Sequence, residues 1–325
     1  MNKRKVLIII DSLDSLGGTQ NYSKKLQLEL NSNNYSCEIL SLKSSIEARY
    51  SLNLRYNFQS IFFNKKLNKI VSGFDYTVVV SGHIFGYLSF SLRNKNVIWR
   101  ESNNPVQRNR SKSFIKNQTN KLLYNYFLIT NKDAKIILPS LQCNSKALGK
   151  LKVHIINNFI NFLPTAATRS NKKNTFKFIS CGRWNLQKGS DRLMHIFHNS
   201  LFTLNFFGEK VDLDAKFNIK FHGTQNLSKI YSQSDCLLLL SRFEGYPNVI
   251  NEARASGCSL ILSQENAWLK EINIISDNII FIGSDDEIRS FIEQNDVNNK
   301  RNFLTDKEIN SYNLNLTNQI ISLFD

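Results

Sequence analysis

Long apolar runs are missing from these 325 residues. The stretches Val6 to Ile10, Thr77 to Val80 and Leu237 to Leu240 each stop near strand length, far short of the ~20 residues that a membrane-spanning helix needs. The basic start, MNKRKVLIIID, is not followed by a signal-peptide core, because its apolar stretch ends at Asp11; it reads as a first strand. Cysteine is scarce too. The five cysteines, at 37, 143, 181, 236 and 258, are odd in number, widely spaced and mostly in apolar, strand-like context. They read as reduced core residues of a cytoplasmic protein, and with no CxxC pair there is no argument for zinc. A GxGxxG dinucleotide fingerprint is also absent. Acidic residues are thin in one half only. Residues 1–164 hold 24 Lys+Arg against 8 Asp+Glu, whereas residues 165–325 hold 18 of each, so the net charge of +16 belongs to the first half. Such a one-sided surface implies an anionic partner: a membrane face, a pyrophosphate lipid or nucleic acid. The alternative is a basic proteome rich in Asn and Lys.

The length suits two domains of about 150 residues each. In the first, Lys5 to Ile10 reads as a strand, followed by a loop with the pair Gly17-Gly18. A helix over Thr19 to Asn31 carries Tyr22, Leu26, Leu28 and Leu30, and Cys37 to Leu42 returns as a strand. A double glycine before a helix lets backbone approach a sugar or phosphate, although such a pair is often only a turn. Two stretches, Ile46 to Ile70 and Arg108 to Leu128, interleave aromatics with basic residues as interfacial amphipathic helices do; any solvated helix over a core shows a similar pattern. His83 falls just beyond the strand Asp75 to Ser81, and Arg100, Asn103 and Asn104 follow the strand Val97 to Trp99. That edge of an open α/β sheet is where ligands bind. Residues 163–175 read as a linker.

The second half repeats the alternation. Phe176 to Ser180 is a strand, and the loop after it holds Gly182, Arg183, Lys188 and Gly189, with Ser190 or Asp191 available to cap the next helix. An Arg and a Lys above a helix start can hold a diphosphate, Arg through a planar fork and Lys as a point charge; two surface cations are the plainer reading. The densest stretch is Ser241 to Ser263, SRFEGYPNVINEARASGCSLILS. It follows a strand at Cys236 to Leu240. Pro247 suits a first helical turn, Gly257 ends the helix, and Leu260 to Leu262 is the next strand, giving a right-handed βαβ unit. Glu244 lies in its loop and Glu252 on its helix, near a helix N-terminus that favours anions.

GRWNLQKG (Gly182 to Gly189) and FEGYPNVINEARASG (Phe243 to Gly257) resemble the paired signatures of retaining glycosyltransferases of the GT4 family, also called glycosyltransferase group 1. FHG (Phe221 to Gly223) and GGTQ (Gly17 to Gln20) fit the same pattern. The resemblance implies a GT-B fold of class α/β, two Rossmann-like doubly wound parallel sheets facing across a cleft. The domains would be 1–165 for the acceptor and 172–306 for the nucleotide-sugar, with a helix over 307–325 crossing back onto the first. Sugar transfer would retain the anomeric configuration, without a cofactor or catalytic metal. By that likeness Arg183 and Lys188 would hold the donor diphosphate, Glu244 would meet the donor sugar, and Glu252 would accept hydrogen bonds from the ribose. Gly182, Tyr246, Pro247 and the N–H groups around Asn248 and Val249 would shape the donor pocket. Gly17 and Gly18 would close over it, and His83 would lie near the sugar. Arg100, Asn103 and Asn104 would face the acceptor. The sequence departs from the family at Arg254, where a Met is usual, and at Cys258-Ser259, which replace a small residue and Pro; both bear on packing.

The expected partners are a UDP- or GDP-linked sugar, a glycan or lipid-linked acceptor, and the inner membrane surface, reached through the basic half. The expected location is cytoplasmic, peripheral to the cytoplasmic face of the membrane. Rival readings are a GT-B epimerase or phosphorylase, or a basic nucleic-acid-binding protein. No zinc-finger or RRM signature supports the last, and nucleic acid is not an expected partner.

Overall fold

The computed structural model describes residues 3–14, 17–43, 50–51, 65–80, 84–89, 91–92, 96–102, 114–144, 148, 151–161, 176–271, 280–294 and 304–324. The chain forms two units, Met1–Asn161 with Tyr312–Asp325, and Phe162–Ser311. The linker expected at 163–175 lies outside the described residues, as do His83, Asn103, Asn104 and most of the first basic stretch.

The first unit is built on β1 (Arg4–Ile10), whose residues Val6 to Ile10 are fully buried. A run that is apolar at every position suits a central parallel strand covered on both faces. Leu7 and Ile9 join one core with Trp99 and Phe127, whereas Val6, Ile8 and Ile10 join another with Tyr22, Leu26 and Leu30. Those last three lie on α1 (Gly18–Ser32) at a spacing of four, which keeps them on one face. Leu28 sits between them in sequence and so points elsewhere: it is 62% exposed. Around β1 run β2 (Tyr35–Ser41), β3 (Tyr50–Ser51), β4 (Tyr76–Val80), β5 (Val97–Arg100), β6 (Lys135–Leu138) and β7 (Lys152–Ile155), in the order β3-β2-β1-β4-β5-β6-β7. Every pairing in it is parallel.

Helices α2 (Lys65–Val71) and α3 (Phe114–Thr130) also belong to this unit. On α3, Phe127 packs against Trp99 with ring centroids 4.8 Å apart, so one face of the second basic stretch is core. Leu122 and Ile129 on the same helix are 68% and 67% exposed. The C-terminal residues also enter this unit: Leu316, Ile320, Leu323 and Phe324 join the core of α1. Asn313 both accepts from Ile160 N at 3.0 Å and donates to Ile160 O at 2.9 Å, pairing its amide with backbone as a strand would.

The second unit carries β8 (Phe178–Gly182), β9 (Leu204–Gly208), β10 (Ile219–Phe221), β11 (Cys236–Leu239), β12 (Ser259–Ser263) and β13 (Ile280–Gly283), in the order β10-β9-β8-β11-β12-β13. All pairings are again parallel. The second sheet therefore follows the doubly wound 3-2-1-4-5-6 order and the first extends it by a seventh strand; in both, the switch point lies between the first strand and the fourth. The α/β class expected from the sequence is the class observed. All five cysteines are buried, and none of them is in a disulfide. Among the described residues no helix is long and apolar enough to cross a membrane.

Candidate active site

In the second unit the switch point falls between β8 and β11, and the two motif-bearing loops leave the ends of these two strands. The first begins at Gly182, whose φ of 134° few side chains tolerate. Arg183 is exposed, and among the described residues its guanidinium reaches Gln187 Oε1, at 3.5 Å. Asn185 then caps a single 3-10 turn, Leu186–Lys188, by accepting from Lys188 N at 3.0 Å. Gly189 turns left-handed with φ 77°, and a Cβ there would lie 2.3 Å from Leu240 O. The chain passes close to β11 at this residue before helix α4 (Ser190–Ile196) begins. Gly189 occupies the cap position without a side-chain hydrogen bond, so neither Ser190 nor Asp191 caps this helix. Both already lie inside its first turn.

The second loop starts at Ser241, fully buried, whose carbonyl accepts from Ser263 Oγ at 3.0 Å and from Asn266 Nδ2. The next residue, Arg242, donates its backbone N–H to Gln187 O at 2.8 Å. Its guanidinium reaches both carboxylate oxygens of Asp191, at 2.8 and 2.6 Å, and the carbonyl of Leu186. Two residues on, Glu244 meets Lys188, with Nζ to Oε1 at 2.6 Å; the carboxylate side chain is 8% exposed and the lysine 23%. The loop ends at Tyr246, buried, whose hydroxyl donates to Asn251 Oδ1 at 2.9 Å. Pro247 precedes helix α5 (Asn248–Ala255) as its cap residue, one position earlier than the first-turn placement expected. Asn248 and Val249 open the helix, where backbone N–H groups point along the axis toward an anion.

The same charged groups act on a buried thiol. Burial pushes the Cys181 thiol, at the end of β8, up to about 12; a hydrogen bond with Tyr231 opposes this, Glu252 and Glu244 reinforce it, and Lys188 opposes it. One buried atom thus feels both carboxylates and the lysine, although Glu244 lies 63 positions beyond Cys181 in the sequence and Glu252 lies 71 beyond it. Arg183 forms no ion pair among the described residues. No group of three His, Cys, Asp or Glu among the described residues could hold a metal ion.

The first unit places its predicted residues differently. Gly17 is extended, φ −179°, and caps α1 without a side-chain hydrogen bond; Gly18 is the first helical residue. Arg100 is only 2% exposed. Its guanidinium lies 3.5 Å over the Tyr22 ring and donates to Ser102 Oγ at 3.1 Å and to Asn158 Oδ1. Its side chain is thus spent on packing α1 to the sheet edge. The sequence reading missed Arg242 and gave Asp191 only a capping role, because their pairing joins positions 51 residues apart.

In the second unit a cation-bearing loop and an acidic loop meet at the switch point of a doubly wound sheet, the place where open α/β sheets bind ligands. Residues 175–294 match the family model described as Glycosyl transferases group 1. The enzyme class expected from the two motifs, a glycosyltransferase, is the one this domain supports. Comparison with curated protein sequences gives no match. Solved structures resemble the whole chain. A glycosyltransferase from Rickettsia africae ESF-5 has a TM-score of 0.69 at 14% identity, covering 100% of this chain and 98% of its own. HepE of Anabaena, solved in complex with UDP-glucose, has a TM-score of 0.67 at 12% identity, covering 99% and 95%. The lipopolysaccharide outer core galactosyltransferase WaaB, in its apo form, has a TM-score of 0.65 at 14% identity, covering 98% and 99%. At these identities the likeness establishes the fold, GT-B.

Proposed function

We propose that the protein is a retaining glycosyltransferase that moves a hexose or N-acetylhexosamine from a UDP- or GDP-linked donor to a glycan acceptor. The acceptor is a lipid-linked or cell-surface polysaccharide precursor. The observation that carries this reading is the meeting of Lys188 with the nearly buried Glu244 at 2.6 Å, where the loops after two adjacent strands converge. The UDP-glucose complex of HepE, a protein of the same fold, supports a UDP-linked donor.

In this reading Arg183 and Lys188 hold the diphosphate, assisted by the N–H groups at the start of α5. Glu252 accepts hydrogen bonds from the ribose, and Glu244 meets the sugar. The bond between the anomeric carbon and the phosphate oxygen breaks, its electron pair leaves with the diphosphate, and the acceptor oxygen attacks from the same face. The acceptor proton passes to the departing phosphate oxygen. Negative charge grows on the diphosphate during this step, and preorganised cations stabilise it there; removing one preorganised donor from an oxyanion hole costs about 2.7 to 4 kcal/mol.

The protein works at the cytoplasmic face of a membrane, to which the basic first unit binds peripherally; exposed Leu122 and Ile129, beside the exposed Lys121, support that contact. A panel of UDP- and GDP-sugars tests the catalytic reading. At least one should be hydrolysed slowly without acceptor, and the activity should disappear in Arg183→Ala and Glu244→Ala. A panel that gives neither turnover nor binding refutes it.

A further inference from the structure

Arg242 holds a place in the site that neither motif assigns to it. Its backbone N–H donates to Gln187 O at 2.8 Å, and its guanidinium donates to Leu186 O and, in fork geometry, to both oxygens of Asp191 at 2.8 and 2.6 Å. Every one of these acceptors lies in the segment 186–191, which contains Lys188. Residues 242 and 244 thus grip the same short segment from the same loop, Arg242 by its turn and its helix start, Glu244 by its lysine. Among the described residues the segment is otherwise held by one 3-10 turn, the Asn185 cap, the Ser190 N–H bonded to Asn185 O, the left-handed Gly189 and the 3.5 Å contact of Arg183 with Gln187.

An exposed ion pair is usually worth less than about 1 kcal/mol, and both side chains here are more than a third exposed, at 39% and 38%. A stability role alone would not call for four contacts on one six-residue segment. The pairing holds the Asp191 carboxyl below, and the Arg242 guanidinium above, their ordinary ranges, each mainly through this mutual hydrogen bond. Asp191 is thus a carboxylate at neutral pH, and so able to accept the fork.

We propose that Arg242 is a positioning residue: by clamping residues 186–191 through Asp191 it sets the Lys188 ammonium for a nucleoside diphosphate, without itself touching the ligand. The inference rests on the donor-binding reading above. It also specifies where the effect should show. A ligand with a diphosphate should feel the loss of Arg242, whereas the bare nucleoside, held by other groups, should not.

Calorimetric titration of the full chain with UDP, GDP, uridine and guanosine tests this, using Arg242→Ala, Arg242→Lys, Asp191→Asn, Lys188→Ala and the double variant Arg242→Ala/Lys188→Ala. The expected result is that Arg242→Ala and Asp191→Asn each weaken the preferred nucleoside diphosphate about tenfold and leave its nucleoside unchanged. Arg242→Lys, which keeps the charge but loses the fork, should recover only part of the affinity. The double variant should bind no more weakly than Lys188→Ala alone, since Arg242 acts through Lys188. Diphosphate binding unaltered in Arg242→Ala overturns the proposal, as does an equal loss for nucleoside and diphosphate, or additive losses in the double variant. If the unaltered protein binds neither diphosphate, the donor-binding reading itself fails, an outcome distinct from the other three.

Discussion

Arg183 and Lys188 share a proposed ligand but not a structural situation. Arg183 is exposed and, among the described residues, reaches one hydrogen-bond partner at 3.5 Å, a distance at the limit of a hydrogen bond. Replacing it with Ala should leave stability within about 0.5 kcal/mol while lowering transfer on the order of a hundredfold. Lys188 balances Glu244, whose side chain is 8% exposed. Lys188→Ala should therefore lower both activity and the denaturation midpoint, because a nearly buried carboxylate loses its cation. Parallel urea titrations and donor-hydrolysis assays on the two variants check the contrast; equal loss of stability in both would contradict it.

A second residue-scale expectation concerns acid. The bidentate bond from Arg192, at 2.9 and 2.5 Å, holds the Glu265 carboxyl at about 2, below its ordinary 4.5. A carboxylate depressed on folding stabilises the protein fully above the unfolded value and loses that contribution as pH falls toward the folded one. Between pH 4.5 and about 2 the wild-type protein should lose stability, and Glu265→Gln should lose less over the same window. Thermal melts across that range measure the difference, and parallel pH profiles would rule the linkage out.

At the scale of elements, the site depends on how closely two loops can approach. Gly189 permits that approach twice over, through its left-handed φ of 77° and through the space a side chain would take from Leu240 O. Gly189→Ala should cost at least about 1–2 kcal/mol for the conformation alone, and more where backbone must retreat. The denaturant midpoint should fall with an unchanged m-value, and donor binding should weaken because Lys188 is the preceding residue. A variant as stable as the parent would show that the turn relaxes without effect. The loop after β11 is secured on its other side through Ser241, whose carbonyl is held from β12 and from Asn266. One loop is thus anchored in the sheet, and the other is anchored to it.

For the whole molecule, charge and exposed apolar residues set the expectation. Leu122 and Ile129 lie seven residues apart on α3, hence on one face, and project from the basic unit. Substituting both with Glu should weaken binding to vesicles rich in anionic lipid, and should leave hydrolysis of a soluble donor unchanged. Sedimentation with vesicles at low and high salt distinguishes the cases: parental binding should fall as salt rises. Unaltered vesicle binding in the double variant would place the contact elsewhere.

The class of fold and the identity of most candidate residues can be read from the amino-acid sequence alone. Strands such as Val6 to Ile10 and Cys236 to Leu239 are apolar at every position because both faces are covered, and that pattern is local. Glycines and helix-start signals beside them are local as well, so Gly182 to Gly189 and Glu244 to Glu252 could be found by reading along the chain. Leu28 shows the limit of such reading within a helix, since its apolar side chain faces outward. Which side chains meet is settled by how the strands are ordered in space. Lys188 and Glu244, like Arg242 and Asp191, are brought together because β8 and β11 are neighbours in a sheet whose order differs from that of the chain. Burial likewise turned Arg100 from a polar residue at a strand end into a guanidinium packed on Tyr22. Such pairings depend on strand order and on distance through space, neither of which is carried by residue type or spacing.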